Sequence, residues 1–394
     1  MTAPKTTLWD MPELTPIKHR ILRSYLERTL PQLLSSHERI YLLDSFCGPG
    51  EYTHGEEGSP LIIINTLLAC ISDPQQLRKV RLLFLDEHKQ RCYHLHSLLE
   101  RRKQNQPEMA SISYRIESGQ FAHKLHNRLL AIEKSGQQLP PTFAFIDPFG
   151  YSDIPMASIA QLMQHPHCEV LITLSYEGSN RFLTHPKEAI HRHLTALFGT
   201  EQWRAIQIAN AALAASFVQA ICKEWRAIYC AKKNRQEQFC ALYRAQLRTV
   251  GKATYVCMFR LKNRKNRTSY FLVFGTHQRE SIERMKSIFW EIDPVCGYSY
   301  SVHKQEQHAG QSHLLPSEPD YGVLTRQLRT HLTGNTLTIS ELEEYILAET
   351  PFRTVGYKEH VLRPLEQSVR IHIISSNPSR RPGEYAKDDQ IHFL

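Results

Sequence analysis

A chain of 394 residues, 41% of them hydrophobic, is too long for one ordinary domain and can bury a sizeable core, so two domains with room for an inserted element are expected. No apolar run approaches ~18 residues and Met1–Asp10 lacks the charged-then-apolar order of a signal peptide, so a cytoplasmic protein is expected. The net charge of +9 is a moderate basic excess that suits a polyanionic partner, and nine scattered cysteines without a CxxC pair or zinc-spaced Cys–His cluster argue for free thiols and against a metal centre.

In chain order, Leu14, Ile17, Ile21, Leu22, Tyr25, Leu26, Leu30, Leu33 and Leu34 follow a helical repeat over residues 12–35, with Thr15 as N-cap and Pro16 at the first helical position. Apolar runs then alternate with helical stretches: strands over 40–46, 80–86, 111–117, 142–147 and 168–175, with helices over 60–71, 88–103, 119–135 and 155–164. Such alternation predicts a parallel sheet with helices on both faces. Residues of about 177–250, rich in Ala, Gln, Arg and aromatic side chains, read as a helical insertion that overhangs the carboxyl end of the sheet, as a substrate lid or as a structural cap. Two further strands, 253–261 and 268–275, joined by Lys262–Arg267, form an antiparallel hairpin. Five parallel strands and then a hairpin is the order of a seven-stranded, Rossmann-like class I methyltransferase sheet, here within a domain spanning 1–302.

Residues 303–320, with Gly310, Pro316 and Pro319 among Gln, His and Ser, read as a linker. Three helical patterns follow at Tyr321–Leu332, Ser340–Glu349 and Val355–Gln367, then short strands at Val369–Ser375 and Gln390–Phe393 around a turn-rich segment. Three helices and a two-stranded ribbon make a winged-helix-like domain over 321–394. Its mixed charge suits a protein contact as well as a nucleic-acid contact.

The chemistry concentrates at strand ends. Ile40–Leu43 leads into Asp44, and Gly48-Pro49-Gly50 makes a bend where a ligand can approach bare backbone. Asp44, Phe46, Gly48, Pro49, Gly50 and Ser59 are the expected seat for the amino-acid end of S-adenosylmethionine. Asp86, closing the second strand, is expected to accept its ribose hydroxyls, and Glu117 and Ser118, closing the third, to meet its adenine edge.

Asp147-Pro148-Phe149-Gly150 closes the fourth strand, where the transferring methyl would lie. It resembles the Asp-Pro-Pro-Tyr motif of methyltransferases that act on exocyclic amines and, in its Asp-Pro-Phe-Gly form, the motif of tRNA guanine-N2 dimethyltransferases. In such motifs the carboxylate aligns the amine, and in-line displacement from a cationic sulfur mainly needs that positioning. Phe149, Tyr151 and Tyr176 are candidates to stack on a base, and Asp147 could instead cap a helix starting near Ile154 or Pro155. Tyr176, Asn180 and Arg181 suit substrate orientation, and Lys18, beside His19, suits a cofactor or substrate contact. Arg264 and Lys265, in a turn with Arg260, Lys262 and Arg267, suit phosphate.

Four stretches together resemble the three-Cys-motif partner protein family: Thr15-Pro-Ile-Lys-His-Arg-Ile-Leu22 with Tyr25-Leu26, Asp44-Ser-Phe-Cys-Gly-Pro-Gly50 with Tyr52, Gly55-Glu-Glu-Gly-Ser-Pro60, and Phe145-Ile-Asp-Pro-Phe-Gly150. That resemblance implies a methyltransferase-like fold, a neighbouring radical-SAM-like three-Cys protein as partner, and a setting among mobile or phage-defence elements. The leading expectation is a methyltransferase acting on an amino nitrogen of a nucleic-acid base, RNA or tRNA ahead of DNA. A SAM-binding, non-catalytic partner subunit and a DNA-binding regulator are the alternatives.

Overall fold

A computed structural model of the chain describes residue 4 and residues 6–207, 235–303, 305 and 318–394. Strands β1 (Ile40–Asp44), β2 (Val80–Asp86), β3 (Ser113–Ser118), β4 (Thr142–Ile146) and β5 (Cys168–Ser175) run parallel. All residues of β4 and β5 are buried, as expected of strands covered on both faces. Strands β6 (Tyr255–Lys262) and β7 (Thr268–Thr276) form the hairpin, with β7 inserted antiparallel beside β5. A further strand, β8 (Ser299–Ser301), pairs with β6 and corrects the seven-strand expectation to eight. The order is β3-β2-β1-β4-β5-β7-β6-β8, a large, mostly parallel sheet compatible with a Rossmann-like methyltransferase core.

Helices α1 (Thr15–Ser36), α2 (Ser59–Cys70), α3 (Pro74–Leu77), α4 (Lys89–Asn105), α5 (Phe121–Lys134) and α6 (Met156–Met163) connect or precede the strands. Two apolar layers result. One joins α1, α2, α4 and the helix Arg279–Ile292 to one face of the sheet, and the other joins α5, α6 and the helix Arg235–Thr249 to the opposite face. Thr15 is the first helical residue rather than the cap, and no side chain caps α1. The expected insertion is helical where described, as α7 (Tyr176–Phe182), α8 (Glu188–Phe198), a short turn at Arg204–Gln207 and the helix Arg235–Thr249; its middle, 208–234, lies outside the described residues, as do 304 and 306–317 of the expected linker.

The C-terminal residues build a third apolar cluster. Helices Tyr321–Leu332 and Ile339–Glu349, and a helical turn Lys358–Leu362 running into Arg363–Gln367, pack on β9 (Thr336–Thr338), β10 (Ile371–Ile374) and β11 (Gln390–Phe393). The sheet has three antiparallel strands, one more than the sequence reading, because β9 is only three residues long. Its second helix opens with a capping box between Thr338 and Glu341. This cluster also takes in Trp290 from the Arg279–Ile292 helix. Beside it, the buried Lys286 ammonium donates to the carbonyls of Ile346, Thr350 and Phe352 at 3.1, 2.7 and 2.8 Å. No helix among the described residues is long and apolar enough to cross a membrane.

Candidate functional site

Parallel pairing brings the first and fourth strand ends together. Asp44 is level with Phe84 of β2 and Phe145 of β4, and the Ser45 amide continues the ladder to the Phe145 carbonyl at 3.0 Å. The loops after β1 and β4 therefore open on the same edge, the carboxyl edge where doubly wound sheets bind ligands. In the first loop, Gly48 and Gly50 have φ of +62° and +89°, conformations that a side chain would strain. The bend then folds back on itself: the Gly58 amide donates to the Gly50 carbonyl at 2.7 Å, and a Cβ at Gly58 would lie 2.8 Å from that carbonyl.

Helix α1 delivers the partner of the fourth strand's carboxylate. Tyr25 is buried against the sheet and donates to Glu169 at 2.5 Å, while Thr276 donates to the same carboxylate at 2.9 Å, pinning α1 to β5 and β7. Lys18 lies seven residues earlier, two turns away on the same face. Its ammonium reaches over the strand ends and donates to both Asp147 oxygens, at 2.7 and 2.6 Å. Asp147 does not cap the next helix, whose N-cap position is Pro155 without a side-chain bond. Lys18 also lies 5.3 Å from the Tyr270 ring centre. The adjacent His19 is buried, and burial, reinforced by the Lys18 charge, lowers its pKa to about 4, so the imidazole is neutral.

The two acidic strand ends differ. Asp44 is fully buried and its Oδ2 has no hydrogen-bond partner, while Oδ1 faces the Phe46 amide at 3.4 Å. Burial raises its pKa to about 7 against the opposing hydrogen bonds of Ser59 and Phe46. A buried carboxylate with one unpartnered oxygen, beside bare backbone but not itself lining the pocket, has the charge to complement the cationic amino-acid end of S-adenosylmethionine.

Asp86 fits the ribose role less well, since its oxygens already accept the Gly48 amide at 3.1 Å and the His88 amide at 2.8 Å, and the Arg91 guanidinium stands 3.6 Å away. Burial still raises its pKa. The sequence reading gave this carboxylate to the ribose hydroxyls; in the structure it braces the glycine bend through the Gly48 amide.

One pocket is lined by Lys18, His19, Phe46–Tyr52, Ser59, Asp147–Phe149 and Tyr270, together with Trp9 and nearby residues that precede α1. Trp9 lies over the bend, its ring only 3.2 Å from where a Gly48 Cβ would stand. Arg91, 2% exposed, lies over both the Trp9 and Phe149 rings, 4.8 and 5.1 Å from their centres, and donates to the Pro4 carbonyl at 2.5 Å. What remains is a cavity of about 80 Å³, well below the roughly 300–1,000 Å³ of ligand pockets.

Other expected site residues fall elsewhere. Glu117 is held by Arg128 at 2.5 Å and Lys124 at 3.4 Å, on the outer side of β3, and neither it nor Ser118 lines this pocket. Tyr176 packs edge-on against Phe239 and Phe271, and Tyr151 lies against Phe182. Asn180 has a buried, partnerless Oδ1, and Arg181 is exposed; neither lines the pocket. Arg264 and Lys265 are exposed at the hairpin tip, where Arg264 stands 3.8 Å from Glu13, just ahead of α1.

Sequence reasoning missed Trp9, Arg91 and Tyr270, and took Tyr52 only as a motif position. Arg91 left one legible signal: a basic residue in the first turn of α4, against the helix dipole.

No family model matches this chain, and none of the curated proteins matches it. Among solved structures, protein LPL1258 from Legionella pneumophila str. Philadelphia 1 is 16% identical, covering 45% of this chain and 73% of its own, with a TM-score of 0.28. The O-methyltransferase segment of StiE is 13% identical, covering 74% of this chain and 92% of its own, with a TM-score of 0.25. Scores this low carry neither fold nor activity across. The resemblance to three-Cys-motif partner proteins therefore stands on the quoted motifs.

Proposed function

We propose that the chain is a methyltransferase that uses S-adenosylmethionine to methylate an exocyclic amino nitrogen of a nucleic-acid base, RNA before DNA. The observation that carries this reading is the convergence of Asp147 and the glycine bend after β1 on one pocket, with the buried Asp44 carboxylate, one oxygen of it unpartnered, behind the bend. Asp44 and the Phe46–Gly50 backbone would hold the amino-acid end of the cofactor, which supplies an electrophilic methyl when bound. Asp147 would accept an amine hydrogen and so point the nitrogen lone pair at the methyl. Lys18 keeps the Asp147 carboxylate oriented until the amine arrives. The hairpin tip with Arg264 and Lys265 would meet phosphate, and residues 321–394 would act as a winged-helix-like contact module. The test is transfer of a labelled methyl from the cofactor to tRNA, rRNA or DNA by the purified chain, abolished in Asp147→Ala. Absence of an acceptor in all three pools refutes the reading.

A second reading, a cofactor-binding but non-catalytic subunit of a radical-SAM-like three-Cys-motif protein, is favoured by the two-pronged hold of Lys18 on Asp147 and by Trp9 lying on the bend. It predicts a stable complex on co-expression with such a protein and no turnover by the isolated chain.

A further inference from the structure

The slot between Gly48, Arg91 and Phe149 has the makings of a site for a flat aromatic ring, and it already holds one. Gly48 offers bare backbone to the edge of the Trp9 indole, Phe149 meets that indole edge-on at 5.2 Å, and Tyr52 does so at 5.8 Å. Arg91 lays its guanidinium over both Trp9 and Phe149. A guanidinium this buried is ordinarily neutralised by a tight carboxylate. Here Asp86 stands at 3.6 Å, and a main-chain carbonyl and two ring faces supply the rest of its environment. Such surroundings suit the π face of any planar ring as well as that of indole.

Among the described residues, bonds from the segment that brings Trp9 in to the rest of the chain include the Trp9 carbonyl accepting from the Thr53 amide at 3.1 Å, the Pro4 carbonyl accepting from Arg91, and an exposed Asp10–His54 pair at 3.6 Å. Trp9 itself is only half-buried.

We infer that Trp9 is an internal, displaceable ligand of this slot, and that the ring which replaces it is the purine of a nucleoside cofactor, with Arg91 as the positioning residue that stacks on it. The inference rests on the cofactor assignment above and adds to it the ring's seat and its competitor. A purine nucleoside cannot enter a cavity of about 80 Å³ with Trp9 in place, so binding is a competition between the Trp9 ring and the ligand. A ligand that must first expel an occupant loses affinity by the fraction of time the slot is open.

The experiment is calorimetric titration of S-adenosylhomocysteine into the full-length protein and its Trp9→Ala variant, together with amide exchange at Thr53 in the wild type with and without that ligand. Trp9→Ala is expected to bind at least about tenfold tighter, which corresponds to ~1.4 kcal/mol. Saturating ligand is expected to slow exchange across Phe46–Gly50 while accelerating it at Thr53, because the Thr53 amide loses its acceptor when Trp9 leaves. The exchange measurement needs no variant and so holds even if Trp9→Ala folds poorly. Equal affinity in the two proteins, or a Thr53 amide still protected at saturation, overturns the inference and leaves the cofactor assignment standing. Absence of binding by both proteins, with no change in exchange, overturns the cofactor assignment and the inference with it.

Discussion

Asp44→Asn offers a sharp test of the site, because it should stabilise the ligand-free protein while destroying its ligand binding. The carboxylate is wholly buried, one oxygen is unpartnered, and its pKa rises from 3.8 to about 7 on folding. Between those values the folded protein binds more protons than the unfolded chain, so this group's contribution to stability falls as pH rises through the window and is fully lost above pH 7. At ~1.36 kcal/mol per pKa unit the accumulated cost is about 1.5 kcal/mol at pH 5 and about 4 kcal/mol at pH 8. Asparagine keeps the shape and cannot ionise. Its amide adds a pH-independent offset of about 1 kcal/mol for an unmet donor, so the difference between the two pH values is the informative quantity. Chemical denaturation of both proteins at pH 5 and pH 8 should show the variant gaining about 2–3 kcal/mol more, relative to wild type, at the higher pH. A stability difference that does not change with pH would refute the account of Asp44 as an uncompensated charge. Calorimetry with S-adenosylhomocysteine, whose ammonium would compensate that charge, should then show binding by wild type and none by the variant.

Lys18→Met should leave the Asp147 carboxylate, with 17% of its side chain exposed, without its counter-ion and cost about 2–3 kcal/mol. A double-mutant cycle with Asp147→Asn, read by urea unfolding, should give a coupling of at least about 1 kcal/mol, and additivity would deny the pair its role. Lys286→Met strips the charged donor from three buried carbonyls and should cost about 3 kcal/mol, with faster proteolysis within residues 339–394; unchanged melting and cleavage would show that the ammonium does not anchor the C-terminal cluster. Arg264→Glu with Lys265→Glu should flatten the salt dependence of RNA binding by roughly one to two phosphate contacts without altering S-adenosylhomocysteine affinity, and an unchanged slope would remove the hairpin tip from the nucleic-acid contact.

The strands, their chain order and the glycine bend were legible in the residues because each is a local property. The continuous apolar runs of β4 and β5 report burial on both faces, and Gly48 and Gly50 mark backbone that only glycine adopts readily. Short elements escaped because β8 and β9, at three residues each, are too brief to show a period. Partner choice was not legible at all. Nothing near Asp147 announces that its counter-ion comes from position 18, 129 residues earlier, and nothing near Glu117 says that Arg128 and Lys124 of the following helix will hold it at the outer side of β3. Nothing in the sequence shows that the Gly48 amide would bond Asp86, and Trp9 had no sequence neighbour to give it meaning. A local pattern records which face of a segment is buried; which groups then meet at a strand end depends on how separate segments dock, and for this chain the docking of α1 and of the residues before it onto the carboxyl edge of the sheet decided what the site contains.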